Sequence, residues 1–144
     1  MRMGKFWEYK GDTMKKSGIL NPDIIAAVAA LGHTDSLVIA DAGLPVPKDV
    51  PCIDISLTRG IPSFTQVLRA VADELVIESF IAAGELPVKN PDVWKELQAV
   101  LGNLPCEQLS HEMFKKRTAG AKAVIRTGET SPYANVILIA GVNF

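Results

Sequence analysis

Hydrophobic positions along the chain fall into blocks of two kinds, and the boundaries between them carry recognisable start and stop signals. After Asn21-Pro22-Asp23, a cap oxygen followed by a preset φ and a negative charge, Ile24, Ile25, Val28 and Leu31 recur at helical spacing. Gly32 follows as the residue expected to close that helix in a left-handed turn. Ser36 to Ala40 is a short apolar run, broken by Asp41-Ala42-Gly43-Leu44-Pro45-Val46-Pro47, so Asp41 is expected at a strand's C-terminal end. Cys52 to Leu57 alternates as a second strand. Pro62 opens a helix with Phe64, Val67, Leu68, Val71 and Leu75 inward, and Val76 to Ala82 is a third strand.

Asn90-Pro91-Asp92 repeats the earlier cap pattern before Val93, Trp94, Leu97, Val100 and Leu101. Glu107 to Leu109 is a weak strand, Ser110 caps a short helix from His111 to about Thr118, and Ala123 to Arg126 and Val136 to Ala140 are strands flanking the loop Thr127 to Asn135. Alternating strands and helices predict an α/β fold, a single domain with a central β-sheet flanked by helices. The order of strands does not follow from this pattern. The last strand, apolar and without a polar tail, reads as an edge that needs covering, which points to a homo-oligomer.

The domain is expected over residues 14–144. The thirteen residues before Met14 lack periodicity and form an extra N-terminal segment, read as an upstream start, an appended stretch or a flexible arm. At 144 residues and 48% hydrophobic content, one domain with a substantial core is favoured over two small ones. Fifteen basic against sixteen acidic side chains leave a net charge of −1, with no positive field for nucleic acid or an anionic membrane. The apolar runs fall well short of the roughly 20 residues a membrane helix needs. Cys52 and Cys106 are far apart, and Met1 to Lys16 has no apolar signal core, so a cytoplasmic setting is expected.

Candidate chemistry is sparse. His33 and His111 are the only histidines, and each sits at a helix boundary, where active sites are often built. Their plainer readings are a helix-ending residue and an exposed first-turn residue. Asp41 and a histidine are together a sufficient kit for proton transfer, although aspartate is also common in turns. Gly128 to Asn135 is rich in hydrogen-bonding groups, and Tyr133 and Asn135 suit sugar hydroxyls; its plainer reading is a polar hairpin connection. No phosphate-cradling glycine loop or nucleophile elbow is present. A zinc site from Cys52, Cys106, His33 and His111 is conceivable by ligand type but poorly spaced.

Taken in order, Leu31-Gly32-His33-Thr34-Asp35, Asp41-Ala42-Gly43-Leu44-Pro45, Pro62-Ser63-Phe64, Ser110-His111-Glu112, Val124 to Glu129 and Ser131-Pro132-Tyr133-Ala134-Asn135 resemble the ribose pyranase and fucose mutarotase family from Met14 to Phe144. The likeness weakens before Met14 and over Lys89 to Pro105. It implies an isomerase that interconverts pyranose and furanose forms of D-ribose without a cofactor, with His33 as the proton donor. It further implies that Asp41, His111, Tyr133 and Asn135, with the backbone around Ala134, bind the sugar. Rings are also implied, commonly homodecamers of two stacked pentamers with sites at subunit contacts. Alternatives left open are a mutarotase for L-fucose or another monosaccharide, a non-catalytic sugar-binding subunit linked to transport, and a structural oligomer.

Overall fold

A computed structural model of the chain describes residues 14–144, so the expectation for residues 1–13 lies outside the described part. The first helix, α1, spans Pro22–Ala30, and the Asn21 side chain accepts from the amides of Asp23 and Ile24 at 3.0 Å each. Strands β1 (Ser36–Ala40) and β2 (Cys52–Asp54) follow, then α2 (Phe64–Ala72) and β3 (Ile77–Ala83). Next come α3 (Leu86–Lys89), α4 (Pro91–Leu101), β4 (Cys106–Leu109) and α5 (His111–Arg117), the last continued by one 3₁₀ turn at Thr118–Gly120. Strands β5 (Ala123–Arg126) and β6 (Val136–Ala140) close the domain.

The six strands form one mixed sheet in the order β2-β5-β1-β6-β3-β4. Pairs β1–β5, β2–β5 and β3–β4 are parallel, while β6 runs antiparallel to both β1 and β3. Unbroken apolar runs mark strands covered on both faces, and β1 and β6 are accordingly the two central strands. On one face Leu37 and Ile39 join Phe64, Leu68, Leu97 and Leu138; on the other, Val38 and Ala40 join Phe114, Val124 and Ile137. Helices α1, α2 and α4 thus cover one side and α5 the other, each through its apolar stripe.

Several local readings are corrected. The last strand is not an edge: β6 is enclosed by β1 and β3, whose backbone ladders satisfy both its flanks. The short strands β2 and β4 form the edges. The second strand ends at Asp54, whose carboxylate turns back to accept from the Ser56 amide at 3.0 Å. The second helix starts at Phe64 with Ser63 in a capping box with Gln66, and α3 was not anticipated. Gly32 does not turn left-handed; Thr34 does, at φ 71°. The Asn90 side chain makes no cap bond to α4 and is held instead toward Ser131 Oγ and Pro132 O, to which its Nδ2 donates.

A cavity at one end of the sheet

The topology gathers the chemistry at one end of the sheet. With β1, β3, β4 and β5 running the same way and β6 opposed, Asp41 after β1, Thr127 after β5, Glu85 after β3, His111 after β4 and Asn135 before β6 all emerge at one edge. Sites at carboxyl ends of strands are favoured in open α/β sheets. A cavity of about 620 Å³ opens there, and Asp41, Gly43, His111, Lys115, Ser131 and Tyr133 are among the residues that line it.

Asp41 is held in a two-way clasp. Its amide donates to Asn135 Oδ1 at 2.7 Å, Asn135 Nδ2 donates to Asp41 Oδ2 at 3.0 Å, and the Gly43 amide donates to Asp41 Oδ1 at 2.9 Å. Asn135 is fully buried, so its side chain acts from behind Asp41 rather than from the cavity wall. Each carboxylate oxygen keeps a lone pair for a hydroxyl donor.

His111 opens α5, and its backbone amide donates to both oxygens of Glu85 at 3.0 and 3.1 Å. Its ring meets Tyr133 edge-on, with centroids 5.1 Å apart. The buried His111 Nδ1 has no hydrogen-bond partner among the described residues, and a buried polar atom left unpaired is costly unless something else satisfies it. Tyr133 itself adopts φ 59°, a conformation that side chains other than glycine rarely take and that clusters at binding sites.

The loop carrying Tyr133 is tied down by Glu129, whose carboxylate accepts from the Phe64 amide at 3.0 Å and from Ser131 Oγ at 2.8 Å. Its backbone oxygen accepts from the Ala42 amide at 2.8 Å. Asn90 Nδ2 adds bonds to Ser131 Oγ at 2.9 Å and Pro132 O at 2.8 Å. At Gly128 a Cβ would collide with the carbonyl oxygens of Ile61 and Thr58, so the residue must be glycine for the neighbouring loop to pack. Because β1 lies between β5 and β6, this segment is not a hairpin connection.

Of the residues singled out from sequence, Asp41, His111 and Tyr133 meet at the cavity, and Ala134 and Asn135 are buried immediately behind it. His33 does not join them. It precedes β1 while Asp41 follows it, and five strand residues at about 3.3 Å each put roughly 16 Å between the two ends. There His33 Nε2 lies 2.8 Å from Glu78 Oε2.

Glu85 and Lys115 escaped the sequence reading, and Asn90 was read only as a helix cap. Only Lys115 left a signal, its i,i+4 spacing from His111 on α5. The Lys115 ammonium lies 2.9 Å from Glu112 and holds that carboxyl below its usual range. Burial pushes both cysteine thiols up, and Cys52 and Cys106 stand on the two outer strands, so the conceivable zinc set is not assembled. Among the described residues no helix is long and apolar enough to cross a membrane.

Comparison with known proteins identifies relatives in sequence and in fold. The chain is 53% identical over 131 residues to a D-ribose pyranase of Geobacillus kaustophilus, covering 91% of this chain and 96% of that one. It is 54% identical over 131 residues to the D-ribose pyranase of Halalkalibacterium halodurans, covering 91% of this chain and all of that one. In fold it matches the Bacillus subtilis RbsD solved with D-ribose at a TM-score of 0.88 and 52% identity, over 91% of this chain and 100% of that one. The fucose mutarotase of Streptococcus pneumoniae solved with L-fucose matches at 0.75 and 25% identity, over 86% and 94% of the two chains. With the family model covering residues 14–143 and the sheet matching solved relatives, this chain is a member of the RbsD / FucU transport protein family.

Proposed function

We propose that the protein is a cofactor-independent isomerase that interconverts the pyranose and furanose forms of D-ribose. The observation that carries this reading is the likeness, at 52% identity and a TM-score of 0.88, to a protein solved with D-ribose. The cavity lined by Asp41, His111 and Tyr133 supports it independently, with His111 Nδ1 unpartnered among the described residues.

Opening the pyranose requires that the anomeric hydroxyl lose its proton and the ring oxygen O5 gain one as the C1–O5 bond breaks. The product is the open-chain aldehyde. Closure through O4 forms the C1–O4 bond, returns a proton to the carbonyl oxygen and releases one from O4. One acid and one base suffice, and imidazole is the side chain that exchanges protons in both directions around neutral pH. His33 is assigned as the proton donor. Asp41, His111 and Tyr133 hold the sugar, with Asn135 and the backbone at Ala134 setting Asp41 and Tyr133 in place.

Because His33 stands at the far end of β1 from the cavity, the His33 that serves a given cavity comes from another copy of the chain. The family resemblance suggests a decamer of two pentameric rings, and the cytoplasm is the setting that fits two unpaired thiols. Residues 14–144 form the unit that carries the activity.

The direct test is NMR magnetisation transfer between pyranose and furanose signals. The intact protein accelerates exchange of D-ribose more than it accelerates anomer exchange of L-fucose; the reverse order would make it a mutarotase. Sugar binding without acceleration of either would make it a transport-linked binding subunit. A second test addresses the shared site. His33→Ala chains and His111→Ala chains, each inactive alone, regain exchange when unfolded and reassembled together, to about a quarter of the intact level by random mixing of neighbours. No recovery in mixed assemblies would place both groups in one chain's site.

A further inference from the structure

The far end of β1 is built with unusual care for a surface turn. Thr34, β-branched, is held at φ 71°, a backbone outlier for its type. The turn is pinned to the end of β6 by Thr34 N–H to Ala140 O at 2.9 Å and Ala140 N–H to Asp35 O at 2.8 Å. Asp35 Oδ2 accepts from the Gly32 amide at 2.8 Å. Across from it, β3 carries a β-bulge: Ile77 faces Ala140 and Ser79 faces Ile139, which leaves Glu78 as the extra residue. Bulges re-aim side chains and recur beside active sites. Gly141 lets the chain pass close beneath, for a Cβ there would lie 3.3 Å from Glu78 Cβ and Val76 Cγ1.

These three features converge on the contact between His33 Nε2 and Glu78 Oε2 at 2.8 Å. The two side chains are 52% and 43% exposed. A contact so exposed adds little to stability, which leaves the strained turn and the bulge without a structural return.

Resting on the assignment of His33 as the proton donor, the geometry points to Glu78 as its positioning residue. The carboxylate accepts from Nε2–H, fixes the ring's orientation and leaves Nδ1 as the atom that exchanges a proton with the sugar. A carboxylate behind one imidazole nitrogen selects the tautomer and so decides which nitrogen faces the substrate. Glu78 touches no sugar itself. Its removal therefore slows the proton transfer and leaves binding alone.

The test uses the full chain with D-ribose. Long-range ¹⁵N–¹H correlation of the intact protein finds neutral His33 as the Nε2–H tautomer. Glu78→Gln, a surface substitution that leaves the core untouched, mixes the tautomers and lowers kcat by about ten- to a hundredfold, the scale at which outer carboxylate partners of histidine act. KM stays within about twofold. An Nδ1–H tautomer in the intact protein, or an unchanged kcat in Glu78→Gln while His33→Ala is inactive, would overturn the role of Glu78 and leave His33 in place. Full exchange in His33→Ala would overturn both.

Discussion

Replacing His33 by alanine removes the acceleration of ribose ring exchange while sugar binding survives. A positioned acid or base contributes about 10²–10⁴-fold, and the open-chain route remains available in water, so the variant falls to the solvent rate rather than to zero. The cavity around Asp41, His111 and Tyr133 lies at the other end of β1 and is untouched by the substitution. Magnetisation transfer reads the rate and calorimetric titration with D-ribose reads the binding. Loss of both together would make His33 part of the assembly's structure, and loss of neither would move the proton transfer elsewhere.

Asn135→Ala costs both stability and affinity. The side chain is fully buried and makes two hydrogen bonds with Asp41, one to its amide at 2.7 Å and one to its carboxylate at 3.0 Å. Leaving such groups unpaired costs about 1–3 kcal/mol, which urea unfolding reads directly. Asp41, no longer held, loses its fixed direction, and KM for D-ribose rises by more than kcat falls. Asn135→Asp sets a second carboxylate against the first and is the more damaging change. An Asn135→Ala variant with intact stability and KM would mean that Gly43 alone orients Asp41.

Much of this could be read along the chain because it depends on near neighbours. Asn21 before Pro22, Ser110 before His111 and the apolar run at Ser36 to Ala40 are local signals, and each produces the element expected of it. The ordered motifs from Gly32 to Asn135 pointed to the family that the comparisons show. Gly32 and Asn90 misled because the same residues had alternative partners. Asp35 drew the Gly32 amide into a turn, and the Asn90 side chain was drawn to Ser131 and Pro132, forty-one and forty-two residues away.

What only the tertiary structure decided is the sheet order, and the site depends on it. Placing β6 antiparallel between β1 and β3 brings Asn135 behind Asp41 and sends His33 to the opposite end, beside Glu78. Periodicity records which faces of a strand are buried, not which strand covers its flank, because backbone ladders bond alike to any neighbour. Residue types, caps and the proton-transfer kit therefore follow from the sequence by itself. The separation of His33 from the cavity around Asp41, His111 and Tyr133 follows from long-range pairing alone.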